Sequence, residues 1–321
     1  MRVPVTLDLH LPNFNYPGVG PDAEFEKIVA IAESAERSGF SSISVMDHLH
    51  QIAGIGPPEN YMFDGNTMLA GIAARTSKLT LGTLVGGVTY RNPALLAKIT
   101  TTIDVISGGR AWLGLGAAWF EGEHEAYGFE FPPLGRRFEY LEESLQIVRA
   151  MLTQERASFE GEHFRVREAY NNPKPIRGDI PIMVGGSGER KTLRMVAQYA
   201  DGCNLFAADA ERARHLLGVL ERHCERLGRD PAEITKTAMG NYVIADTKEA
   251  AEAKVRRLVE DGMMMPARAE RTMAADPDTV GEHASSLKEA GIEGMTTAIA
   301  DVFDPESVAR YGKVLGAVFN G

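Results

Sequence analysis

Leu79-Thr-Leu-Gly-Thr-Leu-Val85, then Pro93-Ala-Leu-Leu-Ala-Lys-Ile-Thr-Thr-Thr-Ile-Asp-Val-Ile-Ser-Gly108, then Ala111-Trp-Leu-Gly-Leu-Gly116 is the run that decides the fold. The outer pieces are short and mostly apolar, as buried parallel strands are. The middle piece opens on proline and carries Leu95, Leu96, Ile99, Ile103 and Ile106 at helical spacing. It stops at Gly108-Gly109, so a helix is expected between two strands. The alternation continues in both directions. Before it come a strand over residues 3–9, a helix from 22 to 39 with Asp22 placed to cap it, a strand at Ser42-Ile-Ser-Val-Met46 and a helix from 66 to 76. After it come a helix at 134–152 and a hairpin at 157–166. Strands follow at 180–184, 202–206, 234–245 and 295–299, with helices at 188–199, 210–227, 248–261, 278–290 and 305–319.

Eight strands alternating with helices call for parallel pairing through right-handed crossovers. The expected fold is of the α/β class: a (β/α)8 TIM barrel with an insertion between strands four and five, as one domain over residues 1–321. An open doubly wound sheet would want a Gly-x-Gly-x-x-Gly turn after the first strand, and residues 10–20 do not supply it. Apolar residues make up 44% of the 321 and charged residues 24%, the composition of a globular chain rather than a disordered one. With 34 Lys+Arg against 44 Asp+Glu the formal charge is −10, which argues against a nucleic-acid or anionic-membrane surface. Cys203 and Cys224 are the only cysteines, too few for a disulfide framework and suited to a reducing cytoplasm. Residues 1–11 lack a basic segment followed by an apolar run, and no long uninterrupted apolar stretch occurs, so neither a secretory leader nor a membrane span is expected.

In such a barrel the chemistry sits at the C-terminal ends of the strands. Four stretches stand there. Asp47-His48, with His50 and Gln51 behind, offers an imidazole that can exchange a proton near neutral pH; equally, Asp47 could cap a loop and His48 simply pack. Leu84-Val85-Gly86-Gly87 offers a backbone that a flat ligand can approach, or an ordinary loop glycine pair. Gly114-Leu-Gly116-Ala117-Ala118-Trp119 leaves room for a ring with a tryptophan wall, or fits a crowded barrel. Gly185-Gly186-Ser187-Gly188, followed by Arg190-Lys191 at a helix start, supplies the N–H groups, hydroxyl and cations a phosphate needs, or forms a solvated turn. Arg136-Arg137 fits a solvated helix face better than an anion site. Glu121, Glu123, His124 and Glu125 look like metal ligands but have no second set, so no metal is expected. Cys203 fits a core position. Met263-Met264-Met265-Pro266 suits either a lid or buried packing.

Taken in order, several motifs resemble the luciferase-like monooxygenase superfamily, and within it the deazaflavin (coenzyme F-420)-dependent oxidoreductases. They are Asp47-His48, the run from Gly82 to Lys98, the run from Ser107 to Trp119, Tyr127-Gly-Phe, Phe159-Glu-Gly-Glu-His-Phe164 and Pro181-Ile-Met-Val-Gly-Gly-Ser-Gly188. The resemblance implies a β/α barrel that binds F-420, or alternatively FMN, at its mouth. It implies that Asp47, His48, Leu84, Val85, Gly86, Gly116, Ala117 and Trp119 line the ring, with His48 as proton partner. It further implies a cis peptide near Leu84-Val85, and that Gly185, Gly186, Ser187 and Gly188 hold the cofactor phosphate. A small-molecule substrate and a homodimer through the second and third helices are implied as well. The activity implied is hydride transfer between F-420 and an organic substrate; the alternatives are an FMN monooxygenase using dioxygen and a separate reductase, or a non-catalytic flavin carrier. The sugar-phosphate dehydrogenases of that branch carry a tryptophan where this chain has Gln51-Ile52 and an acid where it has Trp119, which speaks against a sugar-phosphate substrate.

Overall fold

The computed structural model describes residues 1–320. In chain order its elements are β1 (Leu7–Leu11), α1 (Glu24–Arg37), β2 (Ser42–Val45), α2 (Gly65–Arg75), β3 (Thr80–Thr83), β4 (Gly86–Gly87), α3 (Pro93–Ser107) and β5 (Leu113–Gly116). Then come α4 (Glu121–Tyr127), α5 (Leu134–Thr153), the hairpin β6 (Ala157–Glu160) and β7 (Arg165–Ala169), β8 (Ile182–Gly185), α6 (Thr192–Tyr199), β9 (Gly202–Leu205) and α7 (Ala210–Leu227). The last third holds β10 (Thr235–Gly240), β11 (Tyr242–Ile244), α8 (Lys248–Glu260), α9 (Pro266–Ala269), β12 (Met273–Ala275), α10 (Pro277–Glu289), β13 (Gly294–Thr297) and α11 (Pro305–Phe319).

The main sheet is parallel, in the order β3-β2-β1-β13-β10-β9-β8-β5-β4. Its two edges are halves of one strand, because β3 and β4 are separated only by the cis Leu84-Val85 peptide bond. β3 pairs with β2, β4 pairs with β5, and a parallel bridge joins Leu81 to Ala111, so the sheet closes on itself. That closure is the barrel expected from the alternation. Asn92 caps α3 through its side chain, accepting from the N–H groups of Ala94 and Leu95, and Gly108 ends it at φ 71°, where a β-carbon is unwelcome. Among the described residues no helix is long and apolar enough to cross a membrane.

Several expectations are corrected. Asp22 does not cap α1, whose N-cap is Ala23 with no side-chain acceptor. The strand expected over 234–245 breaks after Gly240: β10 stays in the barrel, while β11 leaves it to pair with β12 in a separate two-stranded sheet. An excursion between the seventh and eighth barrel strands (β11, α8, α9, β12) therefore accompanies the insertion after β5. Met264 is packed with Val243, Leu258 and Ala300, so that residue belongs to a buried cluster rather than a lid. Arg137 is no solvated face. It donates to the carbonyls of Pro132 (3.0 Å) and Ala118 (2.5 Å) and stacks over Phe131 at 4.0 Å. The Cys203 thiol is fully buried and pushed up to about 12, an inert core group.

Side chains at alternate positions of β1 divide between two environments. Leu7, Leu9 and Leu11 join the main apolar core, while Asp8 and His10 belong to a chain of polar groups inside the barrel. Ser44 Oγ donates to Asp8 Oδ2 at 2.6 Å and lies 2.9 Å from His10 Nδ1. Burial raises the Asp8 carboxyl to about 6 against its hydroxyl contacts. Burial, then the positive charge of Arg268 and then His48, lower His10 to about 3. Elsewhere the barrel is fitted closely around glycines. A β-carbon on Gly114 would lie 2.1 Å from the Thr83 carbonyl oxygen, and one on Gly82 would enter the Trp112 ring at 2.3 Å.

Gly114→Ala is therefore expected to cost about 3 kcal/mol or to abolish folding, because a backbone atom cannot step aside. Gly135→Ala, whose β-carbon meets open space in α5, is expected to stay within about 1 kcal/mol; urea unfolding of both variants checks the pair. His10 yields a second expectation. Its folded proton affinity lies below the unfolded one, so the unfolded chain takes up the proton first as pH falls. Its stabilising contribution is thus full above about pH 6.5 and is lost on the way down toward 3. Between pH 6.5 and 5 the native chain should lose about 2 kcal/mol more than His10→Asn, which keeps a donor toward Ser44. Equal losses in denaturant titrations at the two pH values would refute it.

Candidate active site

A cavity of about 820 Å³ opens at the C-terminal ends of the barrel strands. That is at the upper end for small-molecule sites, with room for a cofactor and a substrate together. Asp47, His48, Leu84, Val85, Gly86, Gly116, Ala117, Trp119, Gly185 and Gly186 all line it. Ser187 and Gly188 do not stand in its wall. The Ser187 hydroxyl accepts the Phe206 N–H at 2.8 Å, and α6 begins at Thr192 rather than at Gly188. The polar group of this segment that does face the cavity is Thr192.

The glycines at the strand ends have a specific geometric task. A β-carbon on Gly116 would lie 2.8 Å from Val85, and one on Gly185 would lie 2.7 Å from it. Val85, just past the cis peptide, is seated between β5 and β8, and only glycine at both positions admits it. On Gly86 a β-carbon would lie 3.2 Å from Asp47 Oδ2, so the carboxylate and the backbone of β4 are also close.

His48 lines the same cavity. Its Nδ1 lies 2.6 Å from Oε1 of Glu123, a residue of α4 with no exposed surface. The other carboxylate oxygen accepts the Leu49 N–H at 2.8 Å, and the Tyr90 hydroxyl donates to Oε1 as well. Burial alone would raise the Glu123 carboxyl. The donors from His48, Leu49 and Tyr90 outweigh it and hold the group below the usual carboxylate range, hence ionised. An ionised acceptor fixes the imidazole: Nδ1–H donates to Glu123, and Nε2 is the ring nitrogen left to exchange a proton. Trp119, 61% exposed, stacks on Phe120 at 5.3 Å and meets His48 edge-on at 5.5 Å.

Asp47 has a different environment. Arg91 bridges it (2.6 Å) to Asp64, yet burial dominates and raises the Asp47 carboxyl to about 6. Its Oδ1 is buried without a partner. His124 is committed elsewhere: Nδ1 donates to the Phe120 carbonyl and Nε2 accepts from Thr89 Oγ1, both at 2.7 Å. No cluster of metal-ligating side chains occurs among the described residues. Glu123, Tyr90, Arg91, His10, Thr192 and Arg268 are thus elements of the site that the sequence reading missed or misassigned. His10 was detectable, two residues from Asp8 on one strand face. Glu123 stands 75 residues from its histidine, and nothing local announces that pairing.

Comparison with known proteins agrees with this architecture. The luciferase-like monooxygenase family matches residues 5–315. The chain is 32% identical over 266 residues to the pyrimidine monooxygenase RutA of Stutzerimonas stutzeri, covering 78% of this chain and 69% of that one. It is 31% identical over 217 residues to the F420-dependent glucose-6-phosphate dehydrogenase of Segniliparus rotundus, covering 65% and 62%. The structure of an F420-dependent secondary alcohol dehydrogenase in complex with an F420-acetone adduct superposes with a TM-score of 0.80 over 99% of both chains at 19% identity, a likeness of fold. The closed parallel barrel and the matched span lead to one assignment: this chain belongs to the luciferase-like monooxygenase family, whose members are oxidoreductases and monooxygenases.

Proposed function

We propose that the protein is an oxidoreductase that binds coenzyme F-420 at the barrel mouth and passes a hydride between it and a small organic substrate. The observation that carries this reading is His48 fixed by Glu123 with Nε2 free, beside a wall built from Val85, Gly116 and Gly185. The residues present fit a flat ring with an anionic tail. Val85, seated by Gly116 and Gly185, gives the cavity wall an apolar surface a ring can lie on, Asp47 Oδ1 is an unpaired polar atom, and Thr192 opens α6 toward the cavity. When bound, the deazaflavin supplies the two-electron chemistry.

The chain's own residues then do four things. Val85 and the strand-end glycines orient the ring. His48 Nε2 gives or takes the proton that accompanies hydride transfer at the substrate oxygen or nitrogen. Glu123 positions that imidazole. Trp119 and Phe120 pack edge-on against the His48 ring and wall that side of the site. Exposed Leu95, Val105 and Ile106 on α3 support the homodimer expected from the family. The match to a monooxygenase favours a second reading, in which the same cavity holds FMN and the protein works with dioxygen and a reductase.

Titration of the purified protein with each cofactor separates the two. Micromolar or tighter binding of F-420, with FMN at least tenfold weaker, is expected; FMN binding without F-420 binding overturns the choice. His48→Ala should keep the cofactor affinity within about threefold and lose turnover, and unchanged turnover would remove His48 from the chemistry.

A further inference from the structure

The cavity wall carries two arginines that no carboxylate pairs with among the described residues, exposed Arg271 and the more enclosed Arg268. Arg268 lies on α9, in the excursion that crosses the barrel mouth between β10 and β13. Its guanidinium makes one hydrogen bond, Nη2 to the Ala298 carbonyl at 2.7 Å. Among the described residues no carboxylate pairs with it. Burial, the largest influence, lowers its proton affinity, and only the Tyr311 phenol pulls the other way.

Two other arginines with little exposed surface show how unusual this is. Arg110 also lacks a paired acid, but its Nε, Nη1 and Nη2 make five bonds to Ser107, Thr76, Leu79 and Ala73, so its donors are spent inside the fold. Arg91 has Asp47 and Asp64. In Arg268, Nε and Nη1 have no acceptor, and the side chain lines the cavity. A half-buried guanidinium with idle donors loses hydration without return until an anion arrives.

Its surroundings narrow the anion. His10, the nearest basic ring, is held neutral by burial and by Arg268 itself, so it adds no charge. Arg271 is exposed at the rim, and no lysine lines the cavity. Met239, Ala298 and Leu84 make the nearby wall apolar. The enclosed fork of Arg268, beside an apolar wall and with Arg271 out in solvent, suits two coplanar oxygens on an apolar body. Arg268 touches the chain just past β13. The glycine segment after β8 lies three strands away round the barrel, with β9 and β10 between.

We propose that Arg268 receives the carboxylate of the substrate, which makes the substrate class small organic acids with an aliphatic or aromatic body. The proposal rests on the cavity being the active site and goes further in naming what enters it. The carboxylate meets the free N–H groups of Arg268, and the apolar body reaches toward His48. The same anion chemistry could belong to the cofactor's acidic tail, and the experiment separates the two sources.

Calorimetric titration with phenylacetate and hexanoate, each against its neutral amide, tests this in the cofactor-free and the cofactor-loaded protein. Each acid should bind at least tenfold more tightly than its amide. Arg268→Gln should abolish that difference, Arg268→Lys should restore part of it, and both variants should keep cofactor affinity within threefold. Acids and amides binding alike, or not at all, overturns the proposal. So does Arg268→Gln weakening the cofactor instead of the acid, which would give Arg268 to the cofactor tail. Tighter binding of inorganic phosphate than of either acid overturns the carboxylate class. If neither F-420 nor FMN binds, the functional reading fails, while the titration without cofactor still decides whether Arg268 selects acids. Should Arg268→Gln fail to fold, the Arg268→Lys series and the acid–amide comparison in the native chain decide it.

Discussion

A buried carboxylate must find donors or lose its charge. Glu123 finds three, and they come from separate parts of the rim: the His48 ring and the Leu49 N–H beyond β2, and the Tyr90 hydroxyl beyond β4. One charge on the insertion helix α4 therefore ties the ends of β2 and β4 to the segment after β5. Tyr90 is packed in turn against His124 and Phe129, so the helix is held to the rim by aromatic contact as well as by charge. The orientation of His48, and with it the proton chemistry of the site, depends on this arrangement.

Space is the second constraint. Val85 can cross the barrel top only because Gly116 and Gly185 leave a slot on both sides. The turn of chain after β5 is held by a different device: Ala118 adopts a left-handed φ of 59°, and Arg137 grips its carbonyl from α5. The rim is thus built from glycines that make room for Val85 and from charges such as Glu123, Arg91 and Arg137 that each have more than one partner. Arg268 stands apart because its donors remain idle.

The alternation of strands and helices was legible because it depends on local patterning. Pro93, Asn92 and Gly108 bound α3 where their chemistry requires, and the last helix runs from Pro305 to Phe319 as its apolar spacing indicates. The break of the seventh strand at Gly240 was not legible, since Tyr242-Val-Ile continues the β pattern. Only the pairing with Met273–Ala275, distant in sequence, draws it away. For the site, Asp47-His48 and the glycine pairs stood out as small or polar residues at strand ends. Glu123 looked like part of an acidic metal-like cluster because its partner is fixed by the fold, not by spacing. Arg268 and Thr192 sit where an excursion and a turn return to the mouth, and a sequence carries no sign of where such a return lands.

The central claim is that Glu123 sets which nitrogen His48 presents to the ligand. Nitrogen-15 NMR of histidine-labelled protein reads this directly, at a pH where the ring is neutral, in the native chain and in Glu123→Gln. The account predicts His48 with its proton on Nδ1 and the lone pair on Nε2, with the Nε2 signal moving when cofactor is added. In the variant, where an amide can donate to Nδ1, the tautomer should invert. A native His48 that already carries its proton on Nε2, unaffected by the substitution, would contradict it.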